Sequence, residues 1–142
     1  MEKIDYKKRD KQLYQPKTEP SVITVPNMLF ILVDGKGDPN TSPAYKRAIE
    51  LLYGLSYGIK MSKMGGDLPE GYFEYVVPPL EGLWWTEGKP FETGLADKSK
   101  FCWSAMIRQP EFVTENLFQQ AKEKLQKKKP DLEVSAARLQ AY

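Results

Sequence analysis

The sequence predicts an α+β fold with a mainly antiparallel sheet and with helices on one face, and three observations support this prediction. Two stretches have apolar residues at helical spacing, and shorter stretches are rich in the β-branched and aromatic residues typical of strands. These elements follow one another in the order strand, helix, strand, strand, helix, strand, beginning with a strand-helix-strand-strand unit. The length of 142 residues is typical of one domain.

The first strand is predicted in residues 22–33. Pro26 cannot donate a hydrogen bond to a neighbouring strand, so it marks a bulge or an edge position. The run from Met28 to Val33 is continuously apolar, which indicates burial on both faces of the sheet, and turn-forming residues end it at 34–40. Residues 1–20 are expected to form a basic, solvated arm, and the alternative is that the Leu13-Tyr14 pair docks this arm on the domain formed by residues 21–142.

A long helix is predicted from Ser42, as N-cap, and Pro43, at the first helical position, to about Met61. Gly54 and Gly58 lie on one face of it, four residues apart. Each costs about 1 kcal/mol relative to alanine in a helix interior. We therefore expect this face to allow close approach of another backbone or of a flat ligand. The apolar stripe of the helix consists of Ala48, Leu52, Leu55 and Ile59.

Two strands are predicted in the middle of the chain. The first covers residues 72–77, with period-two alternation, and continues in 80–85 after a bend at two prolines. A polar excursion at 86–100 leads to the second, at 101–108.

A second helix is predicted after Thr114, which caps it, and it ends in a lysine run before Pro130. Cations at this end complement the helix dipole, so the lysines are expected to be a solvated helix end rather than a nucleic-acid patch. A short final strand is predicted at 134–139.

The composition excludes several kinds of site. The chain has no histidine, so a histidine-based triad, metal site or general base is excluded, and we expect no metal and no cofactor. Cys102 is the single cysteine, which fits a reducing compartment and an inert thiol. A net charge of +2 does not imply a nucleic-acid or membrane partner. No signal peptide or membrane-length apolar run is present, so the expected location is cytoplasmic.

Aromatic side chains are concentrated between Tyr45 and Trp103, which predicts a ligand cleft. Rings stack on flat ligands and attract cations, so a hydrophobic, cationic or aromatic small molecule is the expected ligand. Core packing is the alternative for each of these residues. The ligand-binding candidates are Tyr53, Tyr57, Tyr72, Glu74, Trp84, Trp85, Trp103 and Met106.

Glu74 is the candidate catalytic residue, because a carboxylate among aromatic side chains has a raised pKa suited to acid–base work if it faces the cleft. The alternative is that Glu74 faces solvent. Glu81 is expected to form a salt bridge or to cap a turn, and Arg108 is expected to pair with one of these acids.

Several motifs occur in a fixed order along the chain. They are Leu-Tyr-x-Pro-Lys at 13–17, Gly-Lys-Gly-Asp-Pro-Asn at 35–40, Leu-Tyr-Gly-Leu-Ser-Tyr-Gly-Ile-Lys-Met at 52–61, Pro-Glu-Gly-Tyr-Phe-Glu-Tyr at 69–75, Pro-Leu-Glu-Gly-Leu-Trp at 79–84 and Ile-Arg-Gln-Pro-Glu-Phe-Val-Thr at 107–114. Together they resemble the GyrI-like (gyrase-inhibitor-like) small-molecule-binding domain family, in its stand-alone bacterial form.

The resemblance implies a duplicated strand-helix-strand-strand unit with a ligand cleft between its halves. The chain matches the first unit, the crossover helix and the start of the second unit, so an incomplete second repeat is expected. Such a half-domain would expose a sheet edge and a cleft wall. A homodimer would cover both, and a longer parent chain is the other explanation.

Three functions follow from these observations and from the resemblance. The first is multidrug-type recognition of a hydrophobic or cationic aromatic molecule, as in the effector-binding domains of regulators, without catalysis. The second is hydrolysis of cyclopropane-bearing DNA-alkylating natural products, so whether the protein is an enzyme stays open at this point. The third is a gyrase-binding interaction module. No helix-turn-helix precedes the domain, so direct DNA binding is not expected.

Overall fold

The structure is a computed structural model that describes residues 3–14, 27–38, 42–62, 69–86 and 101–141. Two short helices precede a strand and a long helix; two further strands, a second long helix and a last strand follow. In chain order they are α1 (Tyr6–Arg9), α2 (Lys11–Tyr14), β1 (Leu29–Lys36), α3 (Pro43–Lys60), β2 (Leu80–Thr86), β3 (Phe101–Gln109), α4 (Glu115–Lys128) and β4 (Ala137–Ala141). No helix among the described residues is long and apolar enough to cross a membrane.

The four strands form one sheet in the order β2-β3-β1-β4, and each neighbouring pair is antiparallel. This confirms the predicted α+β class and the mainly antiparallel sheet. Residues Phe30 to Val33 of β1 are buried on both faces of the sheet, as their continuous apolar run predicts, because a separate apolar cluster packs on each face. Residues 22–26 of the predicted first strand and the polar excursion at 87–100 lie outside the described residues.

The two faces of the sheet differ in what they contact. On the near face, Ile31, Val33, Ala105 and Ile107 pack against α3 and α4 in the main core. The far face is turned away from these helices, and Phe30, Leu32 and Met106 form a separate apolar cluster there. The register also places Glu81, Leu83, Trp85 and Arg108 on this far face. The two long helices therefore occupy one face, as predicted.

The two long helices begin and end close to the predicted positions. Pro43 occupies the first turn of α3 after Ser42, and the helix continues to Lys60. Thr114 caps α4 because its side-chain oxygen accepts a hydrogen bond from the Leu117 N–H at 3.2 Å. The sheet-facing residues of α3 were predicted correctly, since Ala48, Leu52, Leu55 and Ile59 are all buried.

The glycine pair of α3 gives a test of helix packing. A Cβ added at Gly54 would lie 3.1 Å from a methyl group of Leu125 on α4, whereas one added at Gly58 would meet nothing within 4 Å. We expect Gly58→Ala to raise the free energy of unfolding by about 1 kcal/mol, because alanine favours the helix and displaces no neighbour. Gly54→Ala is expected to gain less, because Leu125 must move. Urea unfolding of both variants measures the difference, and equal stabilisation would contradict the α3–α4 packing.

Residues 72–77 do not form the predicted strand. The structure has a single parallel bridge there, between Ile4 and Tyr75, with hydrogen bonds from the Ile4 N–H to the Glu74 carbonyl at 2.8 Å and from the Val76 N–H to the Ile4 carbonyl at 2.7 Å. The segment pairs with the N-terminal residues, and the predicted continuation at 80–85 is the strand that joins the sheet, as β2.

The last strand begins later than predicted. A 3-10 turn occupies Val134–Ala136, so β4 begins at Ala137 and not at residue 134.

The N-terminal residues 3–14 are docked on the domain, so the expectation of a solvated arm is wrong for them. Tyr6 is fully buried, and its hydroxyl donates to Glu111 Oε2 at 2.8 Å. The guanidinium groups of Arg9 and Arg108 lie over its ring at 4.5 and 4.2 Å from the centroid. The lysine-rich composition of this segment does not reveal a buried tyrosine anchor.

The docking contact at Glu111 should make stability depend on pH. Burial alone would raise the pKa of Glu111, but hydrogen bonds from Tyr6 and Arg9 outweigh it and hold the pKa below its ordinary value of 4.5. A lowered folded-state pKa stabilises the fold above pH 4.5, and this contribution is lost as the pH falls further. We expect Glu111→Gln to be less stable than the wild type at pH 7, with the difference shrinking below pH 4.5 in urea titrations. A difference that is constant across this range would contradict the assignment.

Candidate functional site

The structure places the predicted ligand-binding residues in separate groups. Tyr53 and Tyr57 stack on the surface of α3, with ring centroids 6.3 Å apart. Tyr72 packs against Phe112 at 5.0 Å, and its hydroxyl donates to Glu74 Oε1 at 3.0 Å. Neither pair lies on a strand of the sheet.

Trp84 and Trp103 belong to a third group, on the near face of the sheet. They are cross-strand partners in β2 and β3, and the ring of Tyr45 contacts both, at 5.5 and 5.1 Å between centroids. Trp103 is buried in the core, whereas Trp84 is half-exposed. Met106 lies on the opposite, far face. These side chains do not line a common hollow in the described residues.

Glu81 on the far face is a carboxyl group in an unusual environment. It lies on β2 opposite Met106 and is half-buried. No side chain donates a hydrogen bond to it within the part of the chain that the structure describes. Burial raises the pKa of Glu81, while the positive charge of Arg108 opposes that shift without cancelling it. A carboxyl group that is protonated more readily than usual is suited to donate a proton.

Arg108 supplies a fixed positive charge beside Glu81. Only 2% of its side chain is exposed, and its Nη1 donates to Asp10 Oδ2 of the N-terminal segment at 2.7 Å. Guanidinium is always protonated, so this buried charge needs the Asp10 carboxylate as a partner. The expectation that Arg108 pairs with Glu74 or Glu81 is wrong, because its ion-pair partners are Asp10 and, at 3.9 Å, Glu111.

Tyr14, the last residue of α2, is the third titratable group at this place. Its phenol oxygen is inaccessible to solvent. Burial raises the pKa of Tyr14; the nearby Arg108 guanidinium acts against this shift, and the negative charge of Glu81 adds to it. The docked N-terminal segment therefore places a neutral phenol close to the Glu81 carboxyl group.

An exposed apolar strip continues from Glu81 along the same strand. Leu83 and Trp85 lie two and four residues further on, so all three side chains project from the far face. Leu83 is 53% exposed and Trp85 47% exposed, which is unusual for large apolar side chains on a sheet. A flat apolar molecule lying on this strip would have the Glu81 carboxyl group at one end. Glu81, Tyr14, Arg108, Leu83 and Trp85 are the candidate site.

Solved structures similar to this chain come from Listeria innocua. An uncharacterized conserved protein is 48% identical, with a TM-score of 0.89 over 99% of this chain and 67% of its own. A hydrolase is 48% identical with a TM-score of 0.88, and another structure of a hydrolase is 45% identical with a TM-score of 0.84. The chain belongs to the same family as these Listeria proteins.

These Listeria relatives are longer than the chain. The chain spans 66–67% of the length of these Listeria relatives and matches them over 99% of its own length. No protein-family model and no curated protein matches the chain. In the described ranges, no group of three or more cysteine, aspartate or glutamate side chains is placed to hold a metal ion.

The sequence did not identify Glu81 and Tyr14 as candidate site residues. Glu81 was expected to form a salt bridge or to cap a turn, and Tyr14 was expected only to dock the arm. One signal was available, because alternation along β2 puts residues 81, 83 and 85 on one face and so places a carboxyl group beside leucine and tryptophan. The position of Tyr14 depends on long-range docking and has no comparable signal.

Proposed function

We propose that this protein is a GyrI-like hydrolase that acts on a hydrophobic small molecule held on the far face of the sheet. The observation that supports this most is the half-buried Glu81 carboxyl group, whose pKa is raised by burial and which lies beside an exposed apolar strip. The family relationship to Listeria hydrolases supports the same reaction class.

Glu81 is the acid–base group in this proposal. A protonated carboxyl group beside the bound molecule donates its proton to the group on which negative charge develops, and the carboxylate that remains accepts a proton from water. The fixed charge of Arg108 stabilises that carboxylate. Tyr14 keeps a neutral phenol beside these two groups.

The sequence resemblance suggests a strained cyclopropane as the electrophile. Water attacks a ring carbon, so that a carbon–oxygen bond forms while the strained carbon–carbon bond breaks. The electron pair of that bond moves into the rest of the molecule, which takes the proton from Glu81. The attacking water then returns a proton to Glu81. The sum is the addition of one water molecule, and it requires no oxidant or cofactor.

Glu74 remains the candidate from the sequence. It accepts a hydrogen bond from Tyr72 and lies on the segment that pairs with Ile4, away from the strip formed by Leu83 and Trp85. The environment of Glu81 fits the acid–base role better, because Glu81 has an apolar surface beside it on the same strand.

Binding without catalysis is the second candidate function. The half-exposed Leu83 and Trp85 support it, because an exposed indole stacks on planar and cationic molecules. A protein with this function would hold an aromatic cation without changing it.

The experiment that separates the two functions measures binding and turnover on the same protein. The chain is incubated with a cyclopropane-bearing alkylating compound, and mass spectrometry detects the water adduct. Tryptophan fluorescence measures the binding of a planar cationic dye. Water adduct formed faster than in buffer supports the hydrolase. Dye binding without adduct supports the second function, and the absence of both contradicts both.

A further inference from the structure

A groove outside the proposed active site lies between α3 and the segment at 131–136 that follows α4. Its volume is about 500 Å³, which is in the range of small-molecule sites. One wall is a single face of α3, because its lining residues recur at helical spacing. Those residues are Ala44, Arg47, Ala48 and Leu51.

The floor of the groove is apolar. Val33 of β1, Leu132 and the ring of Trp103 line it together with the α3 face, and these three side chains are buried. The groove is on the near side of the sheet, whereas Glu81 lies on the far face. A ligand here would not compete with one at Glu81.

The two walls have charges of opposite sign. Arg47 lines the α3 wall, and Asp131 and Glu133 line the other, all three exposed. None of these three makes an ion pair or a side-chain hydrogen bond with another described residue. Asp34, at the edge of the groove, is different, because Arg138 and Ser104 both donate to it. The charges that remain for a ligand are one cation on one wall and two carboxylates on the other.

Trp103 adds a second, independent observation. This side chain is 1% exposed, and its Nε1–H has no hydrogen-bond acceptor among the described residues. A buried indole N–H normally has a partner, since an unmade hydrogen bond is unfavourable. An acceptor atom of a ligand at the floor of the groove would provide that partner.

We propose that this groove binds a small zwitterion with an apolar body, such as a free apolar amino acid. The carboxylate of the ligand pairs with Arg47, its ammonium group pairs with Asp131 and Glu133, and its side chain covers the apolar floor. Only a molecule with both charges satisfies both walls. This inference does not depend on the proposed hydrolase function.

The test compares three probes that share the phenylalanine side chain and differ in which of the two charged groups they carry. Phenylalanine has both charges, phenylalanine amide lacks the carboxylate, and N-acetylphenylalanine lacks the ammonium group. Calorimetry is expected to show saturable binding of phenylalanine and about tenfold weaker binding of each of the other two. Phenylalanine should also shift the indole N–H resonance of Trp103 in a proton–nitrogen correlation spectrum, and Trp103→Phe identifies that resonance.

Matched variants locate the charges. Arg47→Gln should weaken phenylalanine binding about tenfold. It should leave binding of the amide unchanged, because the amide has no carboxylate that could pair with Arg47. Glu133→Gln should weaken phenylalanine and the amide and spare N-acetylphenylalanine. Lys46→Gln removes an exposed cation that does not line the groove and should change nothing. Absence of saturable binding, equal affinity for the three probes, or equal effects of Arg47→Gln and Lys46→Gln would each overturn the proposal.

Discussion

Glu81→Gln is expected to lower the rate of water-adduct formation by about 100-fold or more. Positioned acid–base groups contribute roughly 10²–10⁴-fold to rates, and glutamine keeps the shape of the side chain while removing the transferable proton. The loss should appear in the turnover rate, because Leu83 and Trp85 still bind the substrate. Steady-state kinetics with the alkylating compound, followed by mass spectrometry, measures it.

Stability provides the control for this variant. Because burial raises the folded-state pKa of Glu81, its ionised form is unfavourable in the fold, and stability is lost as the pH rises through that pKa. Glu81→Gln removes this effect, so the variant should be at least as stable as the wild type at pH 7 and above. A variant that is inactive but more stable cannot owe its inactivity to unfolding.

Glu74→Gln is the matched variant at the other carboxyl group. It removes the acceptor of the Tyr72 hydrogen bond but leaves the far face unchanged. We expect its rate to stay within a few-fold of the wild type. A large loss in Glu74→Gln with full activity in Glu81→Gln would assign the acid–base role to Glu74 and would reject Glu81.

Gly35→Ala is expected to lower the free energy of unfolding by about 3 kcal/mol, a shift of roughly 10 °C in the melting temperature. A Cβ at this position would lie 2.1 Å from Cζ2 of Trp103, far inside van der Waals contact. The ring cannot move aside easily, since it is fully buried and packs edge-on against Tyr45 at 5.1 Å. Thermal and urea unfolding measure this loss.

Gly82→Ala is the matched control, because Gly82 is also a strand glycine beneath a tryptophan. An added Cβ there would lie 3.1 Å from Nε1 of Trp84, whose side chain is 43% exposed and has room to move. We expect a change of less than about 1 kcal/mol. An equal decrease in the free energy of unfolding of the two variants would contradict the tight packing of the Trp103 ring against Gly35.

Local chemistry explains which elements were predictable from the sequence. The start of α3 at Pro43 and the Thr114 cap of α4 follow from residues within one turn of the helix end. The apolar run in β1 predicted a strand buried on both faces, and the lack of histidine excluded active sites that depend on that residue.

Longer-range contacts account for what was missed. Residues 72–77 alternate like a strand, yet they pair with Ile4, which lies about seventy positions earlier in the chain. The N-terminal segment is held by the Tyr6–Glu111 hydrogen bond, between residues 105 positions apart. Composition and periodicity describe neighbours in sequence, so they cannot show such a contact.

The α+β class, the two long helices and the kinds of side chain available for chemistry follow from the amino-acid sequence alone, because they depend on local spacing and composition. In contrast, long-range packing places Glu81 half-buried beside Arg108 and Tyr14, and it places the Trp103 ring against Gly35. Burial and pKa depend on which distant segments dock together, since desolvation is a property of the assembled surroundings and not of the residue.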